Sequence, residues 1–133
     1  MTNCCVYSSL LFITNVILGY KLKYYIYSLL FLILLFASIM YHSYGNIYTE
    51  ILDKLCILLV AIYGLNCYYN KCKLNNDKIL YKILVIVSLI SIIILYYYGH
   101  TCDKYCFDKD YGYQYHSLLH LISSIGNNLI ILI

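Results

Sequence analysis

The stretch ILVIVSLISIIILYYY, Ile83 to Tyr98, settles what kind of protein this is. It lies in a run free of Asp, Glu and Lys that extends over residues 83–102. A bilayer core about 30 Å thick takes about 20 apolar residues of helix, and this run supplies them without a charge to solvate. Four more charge-free runs flank it, at 1–20, 24–49, 55–70 and 111–133. The third is short unless Asp53 and Lys54 enter the helix end. Together the runs predict an all-α, polytopic transmembrane helix bundle of about five helices, near 4–20, 24–42, 51–69, 79–98 and 115–133. The 133 residues form one such domain, 1–133, without a linker, tail or internal repeat.

Composition excludes the alternatives. Apolar residues make up 63% of the chain and charged residues 11%, against about 45–50% and about 25% in soluble domains, so a soluble fold could not cover its surface. A net charge of +3, scattered along the chain, does not suit a nucleic-acid partner. The first apolar run has no basic residue before Lys21 and no clear small-residue cleavage site, so it is expected to be a retained helix rather than a signal peptide.

The lysines predict orientation. Lys21 and Lys23 follow the first helix, and Lys71, Lys73, Lys78 and Lys82 surround the third connection. The second connection holds Glu50, Asp53 and Lys54, and the fourth mixes Lys104 and Lys109 with Asp103, Asp108 and Asp110. The excess of positive charge places the first and third connections in the cytoplasm, with the N-terminus on the lumenal or external side and the C-terminus cytoplasmic.

Polar residues inside the spans are costly and mark function. Ser38 and His42 fall late in the second helix, Asp53 at the start of the third, and His116 and His120 at the start of the fifth. Alternating helices bring all five to one side, which the lysines, counted without them, make lumenal. Ser38 and His42 are four apart and share a helix face, as do His116 and His120. A helical HxxxH pair can direct both rings at one metal, and a third His with water completes a tetrahedral zinc site. The three imidazoles are expected within about 3–5 Å of one another, given zinc–nitrogen bonds of about 2.0–2.1 Å. Asp53 would then move a proton or orient the water, and Ser38 would donate to a developing oxyanion. Each residue alone has a plainer reading: His42 as an interfacial anchor, Asp53 as an interfacial partner of Lys54, HxxxH as ordinary helix polarity.

Ser38-Ile39-Met40-Tyr41-His42, Asp53 within Glu50-Ile51-Leu52-Asp53-Lys54-Leu55, and His116-Ser117-Leu118-Leu119-His120 together resemble the signature of the alkaline ceramidase and adiponectin-receptor superfamily, often called CREST. These are seven-helix membrane proteins, many of them metal-dependent lipid hydrolases. The resemblance implies zinc held by His42, His116 and His120, with Asp53 in proton transfer and Ser38 in oxyanion stabilisation. It implies a lipid amide substrate within the bilayer and an endomembrane setting, the endoplasmic reticulum or Golgi, with the site lumenal as in the ceramidases rather than the oppositely oriented adiponectin receptors. Two features depart from the family. Five helices replace seven, an even difference that keeps the last helix in the same direction. Met1 to Cys5 carries no carboxylate, where the ceramidases have an acidic, Trp-containing segment that holds calcium. The expected activity is therefore hydrolysis of a lipid amide, alkaline ceramidase-like. The alternative is a non-catalytic, reduced relative acting as a receptor-like, structural or small pore-forming membrane protein. A lipid-sized cavity beside the five residues favours the enzyme, and a filled core favours the alternative.

Other residues read more plainly. His100, Cys102 and Cys106 form a cluster whose spacing matches no common zinc pattern, and Cys102 or Cys106 could pair with each other or with Cys4 or Cys5 in an oxidising lumen. Tyr96, Tyr97, Tyr98, Tyr111, Tyr113 and Tyr115 suit an interfacial belt. Cys56 reads as packing, Asn127 and Asn128 as interhelical hydrogen-bonders, and Gly126 as a close helix contact.

Overall fold

A computed structural model of the chain describes residues 3–74, 77–101 and 112–133. It is a bundle of helices: α1 (Asn3–Ser9), α2 (Phe12–Lys21), α3 (Tyr25–Tyr44), α4 (Ile47–Leu74), α5 (Ile79–Thr101) and α6 (Gly112–Leu132). The first two are one rod with a break, so five rods stand side by side, as the charge-free runs predict. Among the described residues four segments are long and apolar enough to cross a membrane: Cys4–Lys21, Tyr25–Tyr44, Ile47–Leu74 and Ile79–Tyr97. The last rod, α6, was expected to be a fifth such span. His116, His120, Asn127, Asn128 and several serines make it more polar, and it hydrogen-bonds those groups to its neighbours instead of presenting a wholly apolar surface.

The break in the first rod has a local cause. Ser8 Oγ and Ser9 Oγ both donate to the carbonyl of Cys5, at 3.0 and 2.9 Å, and Thr14 Oγ1 donates to Leu11 O at 2.8 Å. Hydroxyls that bond back to carbonyls three or four residues earlier bend helices. Between them the backbone tightens to three-residue steps, Leu10 N to Tyr7 O and Leu11 N to Ser8 O, both 3.1 Å.

The turns are equally specific. α2 ends with Tyr24 N donating to Gly19 O at 2.8 Å and Lys23 N to Tyr20 O at 3.1 Å, with Lys23 in the left-handed conformation (φ 66°). α3 stops at Gly45, whose φ of 62° costs a glycine little, and α4 starts at once because Asn46 Oδ1 accepts from Thr49 N at 2.9 Å. α4 therefore begins at Ile47, four residues earlier than expected, and Asp53 lies within its second turn rather than at its start. At 28 residues α4 extends about 42 Å at 1.5 Å per residue, long enough to carry Glu50 and Lys54 near one end and Lys71 and Lys73 near the other.

Polar pairs set the order of the rods. Cys4 meets Ser117 (3.1 Å), Ser8 meets His120 (2.8 Å), and Asn15 Nδ2 donates to Asn128 Oδ1 (2.9 Å), so the first and last rods run parallel. Without a hydrophobic force between helices in lipid, such pairs and close packing hold a bundle together. Asn127 accepts from Tyr27, and Cys56 is buried, as their sequence readings required. Phe12, Tyr27, Phe31, Leu34 and Val60 fill the centre, while Ile and Leu side chains such as Ile26, Leu29, Leu58 and Ile93 face outward. Lys71 and Lys78 donate to the carbonyls of Ile131 and Leu132, capping the C-terminus of α6 with positive charge. Lys71 also lies over the Tyr24 ring, so the first and third connections share one end of the bundle, opposite His42 and His116.

α5 packs against α6 through Gly126, where an added β-carbon would come within 2.9 Å of Ser88 Cβ. Gly126→Val is therefore expected to force the two helices apart and destabilise the bundle by about 1–3 kcal/mol, the usual cost of overpacking. Thermal unfolding in detergent reads this directly, and an unchanged midpoint would contradict so close a contact.

Candidate metal centre

The Gly45–Asn46 turn and the parallel first and last rods bring three histidines together. His42 Nε2 lies 3.2 Å from His116 Nε2, and one ligating nitrogen from each of His42, His116 and His120 falls within 4.8 Å of the others. The ring centroids are 4.8 Å (His42–His116), 5.3 Å (His42–His120) and 4.8 Å (His116–His120) apart. Nitrogens bound to one tetrahedral zinc stand about 3.3 Å from each other, by the geometry of bonds of about 2.0–2.1 Å. The His42–His116 spacing already matches. The expected convergence within about 3–5 Å is what the structure has. Among the described residues these three form a group able to hold a metal ion.

His42 and His120 are buried and His116 is half-buried. Phe12 packs its ring 5.2 Å from that of His120, and Tyr41 packs 5.0 Å from that of His42. The donor set is three imidazole nitrogens beside aromatic rings, a set able to hold a metal ion.

The other two expected residues lie alongside. Ser38 is 1% exposed and sits 2.9 Å from Ser9 Oγ, within hydrogen-bonding reach of the Asp53 carboxylate as well. Asp53 is 7% exposed, and its Oδ1 is buried with no hydrogen-bond partner among the described residues. A buried acceptor left unpaired costs about 1–3 kcal/mol, and more when charged. Folding would select against such an atom unless a bound group satisfies it, which suits a site that receives water or a ligand. Glu50 and Lys54 pair with each other nearby, so Lys54 is not the partner of that oxygen.

A partly enclosed cavity of about 250 Å³ adjoins these residues. Ser38, Asp53, His116 and His120 line it at the site, Ile57, Val60, Leu89 and Ile92 along its length, and Gly64, Asn127 and Ile130 farther in. α4 and α5 are tied at the lysine end, where Tyr68 donates to Lys82 O (3.2 Å) and Lys82 to Cys72 O (3.1 Å), and both helices line the cavity beyond that tie.

Sequence reading missed Ser8 and Ser9. They bond to His120 and Ser38 respectively, and both lie in the broken first rod. The available signal was the polar series Cys4, Ser8, Asn15 within an apolar span, spaced to face the matching series Ser117, His120, Ser124, Asn128. Tyr96 lines the cavity rather than serving only in an interfacial belt. Cys102, Cys106 and Tyr111, and the side chains of Tyr98, His100 and Tyr113, lie outside the described residues, and with them the disulfide pairings to Cys4 or Cys5. Comparisons of the chain with protein-family models, curated proteins and solved structures find no match.

Proposed function

We propose that this chain is a membrane-embedded, zinc-dependent hydrolase of a lipid amide, similar in chemistry to the alkaline ceramidases. The observation that carries the proposal is that one apolar cavity is lined both by His116 and His120 of the histidine cluster and by Asp53, a buried carboxylate with one oxygen unpartnered among the described residues. At about 250 Å³ it is slightly below the range of about 300–1,000 Å³ for drug-sized ligands, and its lining suits a stretch of hydrocarbon chain.

His42, His116 and His120 would hold the zinc. When bound, zinc supplies a nucleophilic water at neutral pH and polarises the carbonyl. Asp53, facing the cavity, accepts the proton of the attacking water and returns it to the leaving amine. Ser38 borders the same point. With the Ser9 proton given to the Cys5 carbonyl, the single proton of Ser38 rests on Ser9 Oγ and turns to the developing oxyanion as that forms. The amide C–N bond breaks, and a fatty acid and an amine leave. The apolar wall keeps the acyl chain in place and bulk water away. The lysine-rich end faces the cytoplasm in this proposal, the site faces the lumen, and an endomembrane such as the endoplasmic reticulum or Golgi is the setting.

Purified protein in detergent micelles is expected to carry one zinc per chain and to release fatty acid from at least one member of a panel of ceramides and other acylated lipids. Zinc retained with no release from any lipid would favour a non-catalytic relative with a structural metal. Absence of zinc would overturn the proposal.

A further inference from the structure

We infer that Ser8 is a positioning residue that sets the tautomer of His120 and thereby frees the nitrogen that binds metal; this rests on the metal centre proposed above. Ser8 Oγ lies 2.8 Å from His120 Nδ1 and 3.0 Å from the carbonyl oxygen of Cys5. A carbonyl only accepts, so the one hydroxyl proton of Ser8 goes to Cys5. The Ser8 oxygen then accepts a hydrogen bond, and its partner at His120 must be Nδ1–H. A neutral imidazole with its proton on Nδ1 has its lone pair on Nε2, the nitrogen that Ser8 leaves unoccupied. The opposite tautomer would put a proton where the metal must bind.

The break in the first rod makes this contact. Ser9, the next residue, also donates to Cys5 O at 2.9 Å and lies 2.9 Å from Ser38 Oγ. The paired serines thus tie one carbonyl of the first rod to two site residues on different helices, His120 on α6 and Ser38 on α3. Metal-ligating histidines regularly donate their second N–H to such an oxygen, and loss of that partner weakens metal binding about 10–100-fold.

The test is nitrogen NMR of ring-labelled histidine in the metal-free protein, with His120 assigned by its loss in His120→Asn, together with zinc affinity measured by chelator competition. Wild type and Ser8→Thr, which keeps the hydroxyl, are expected to hold His120 with its proton on Nδ1. Ser8→Ala is expected to lose that preference and to bind zinc about 10–100-fold more weakly. A wild-type His120 protonated on Nε2 overturns the inference, and so does a Ser8→Ala protein that binds zinc as tightly as wild type. The tautomer is read without metal, so a wild type that takes up no zinc sinks the metal centre while the spectrum still decides the role of Ser8.

Discussion

His116→Ala is expected to lose bound zinc and lipid hydrolysis together. Three nitrogens within 4.8 Å of one another are the fewest that make a catalytic zinc site, and two leave the ion weakly held. The Lewis-acid and water-activating effects are worth several kcal/mol, which at about 1.4 kcal/mol per decade is a fall of about 10³-fold or more, to background. His120→Ala should do the same, but it also removes a buried ring packed on Phe12 and bonded to Ser8, so part of its effect will be on folding. His116 is half-buried and gives the cleaner measurement. Zinc content by elemental analysis and fatty-acid release from the same preparation provide the two readouts. A His116→Ala protein with full zinc and full turnover would remove the histidine cluster from the chemistry.

Asp53→Asn separates proton transfer from metal binding. The substitution keeps the shape of the side chain and one accepting oxygen but removes the base, while all three nitrogen ligands stay. Zinc is expected to remain and turnover to fall by about 10²–10⁴-fold, the usual share of general acid–base catalysis. The same variant should unfold at an equal or higher temperature than wild type. Asp53 Oδ1 is buried without a hydrogen-bond partner among the described residues, and relieving a buried carboxylate of its charge removes a cost that folding alone does not reward. Lost activity with retained stability marks a residue kept for chemistry. Unchanged activity would exclude Asp53 from the mechanism.

Much of the site was legible because its members sit at helix-periodic spacings. Ser38 with His42, and His116 with His120, share faces by the four-residue step alone, and counting alternating helices puts all of them and Asp53 at one end. The Gly45–Asn46 turn then aligns His42 with α4, since a left-handed glycine stop followed directly by an Asn cap leaves the hairpin little freedom. Ser8 and Ser9 could be flagged as part of a polar series but not assigned their partners. Hydroxyls in an apolar run have no fixed partner, because they can satisfy themselves on a carbonyl of their own helix, as Ser88 and Ser91 do on α5.

By itself the sequence determined that the chain crosses a membrane several times, that its rods alternate, and that its two lysine-rich connections lie at the end opposite Ser38, His42, Asp53, His116 and His120. Charge-free length and charge placement follow from the cost of putting ions in hydrocarbon, which needs no knowledge of which helix touches which. Only the tertiary structure decided that the first rod breaks beside the site, that it runs next to α6, and that a cavity reaches from Asp53 toward Asn127. Those features depend on which side chains fill the space between rods. In lipid the apolar residues of a helix have no preferred neighbour, so close contacts such as Gly126 on Ser88 and pairs such as Asn15 with Asn128 make the choice, and these act only once the helices have met.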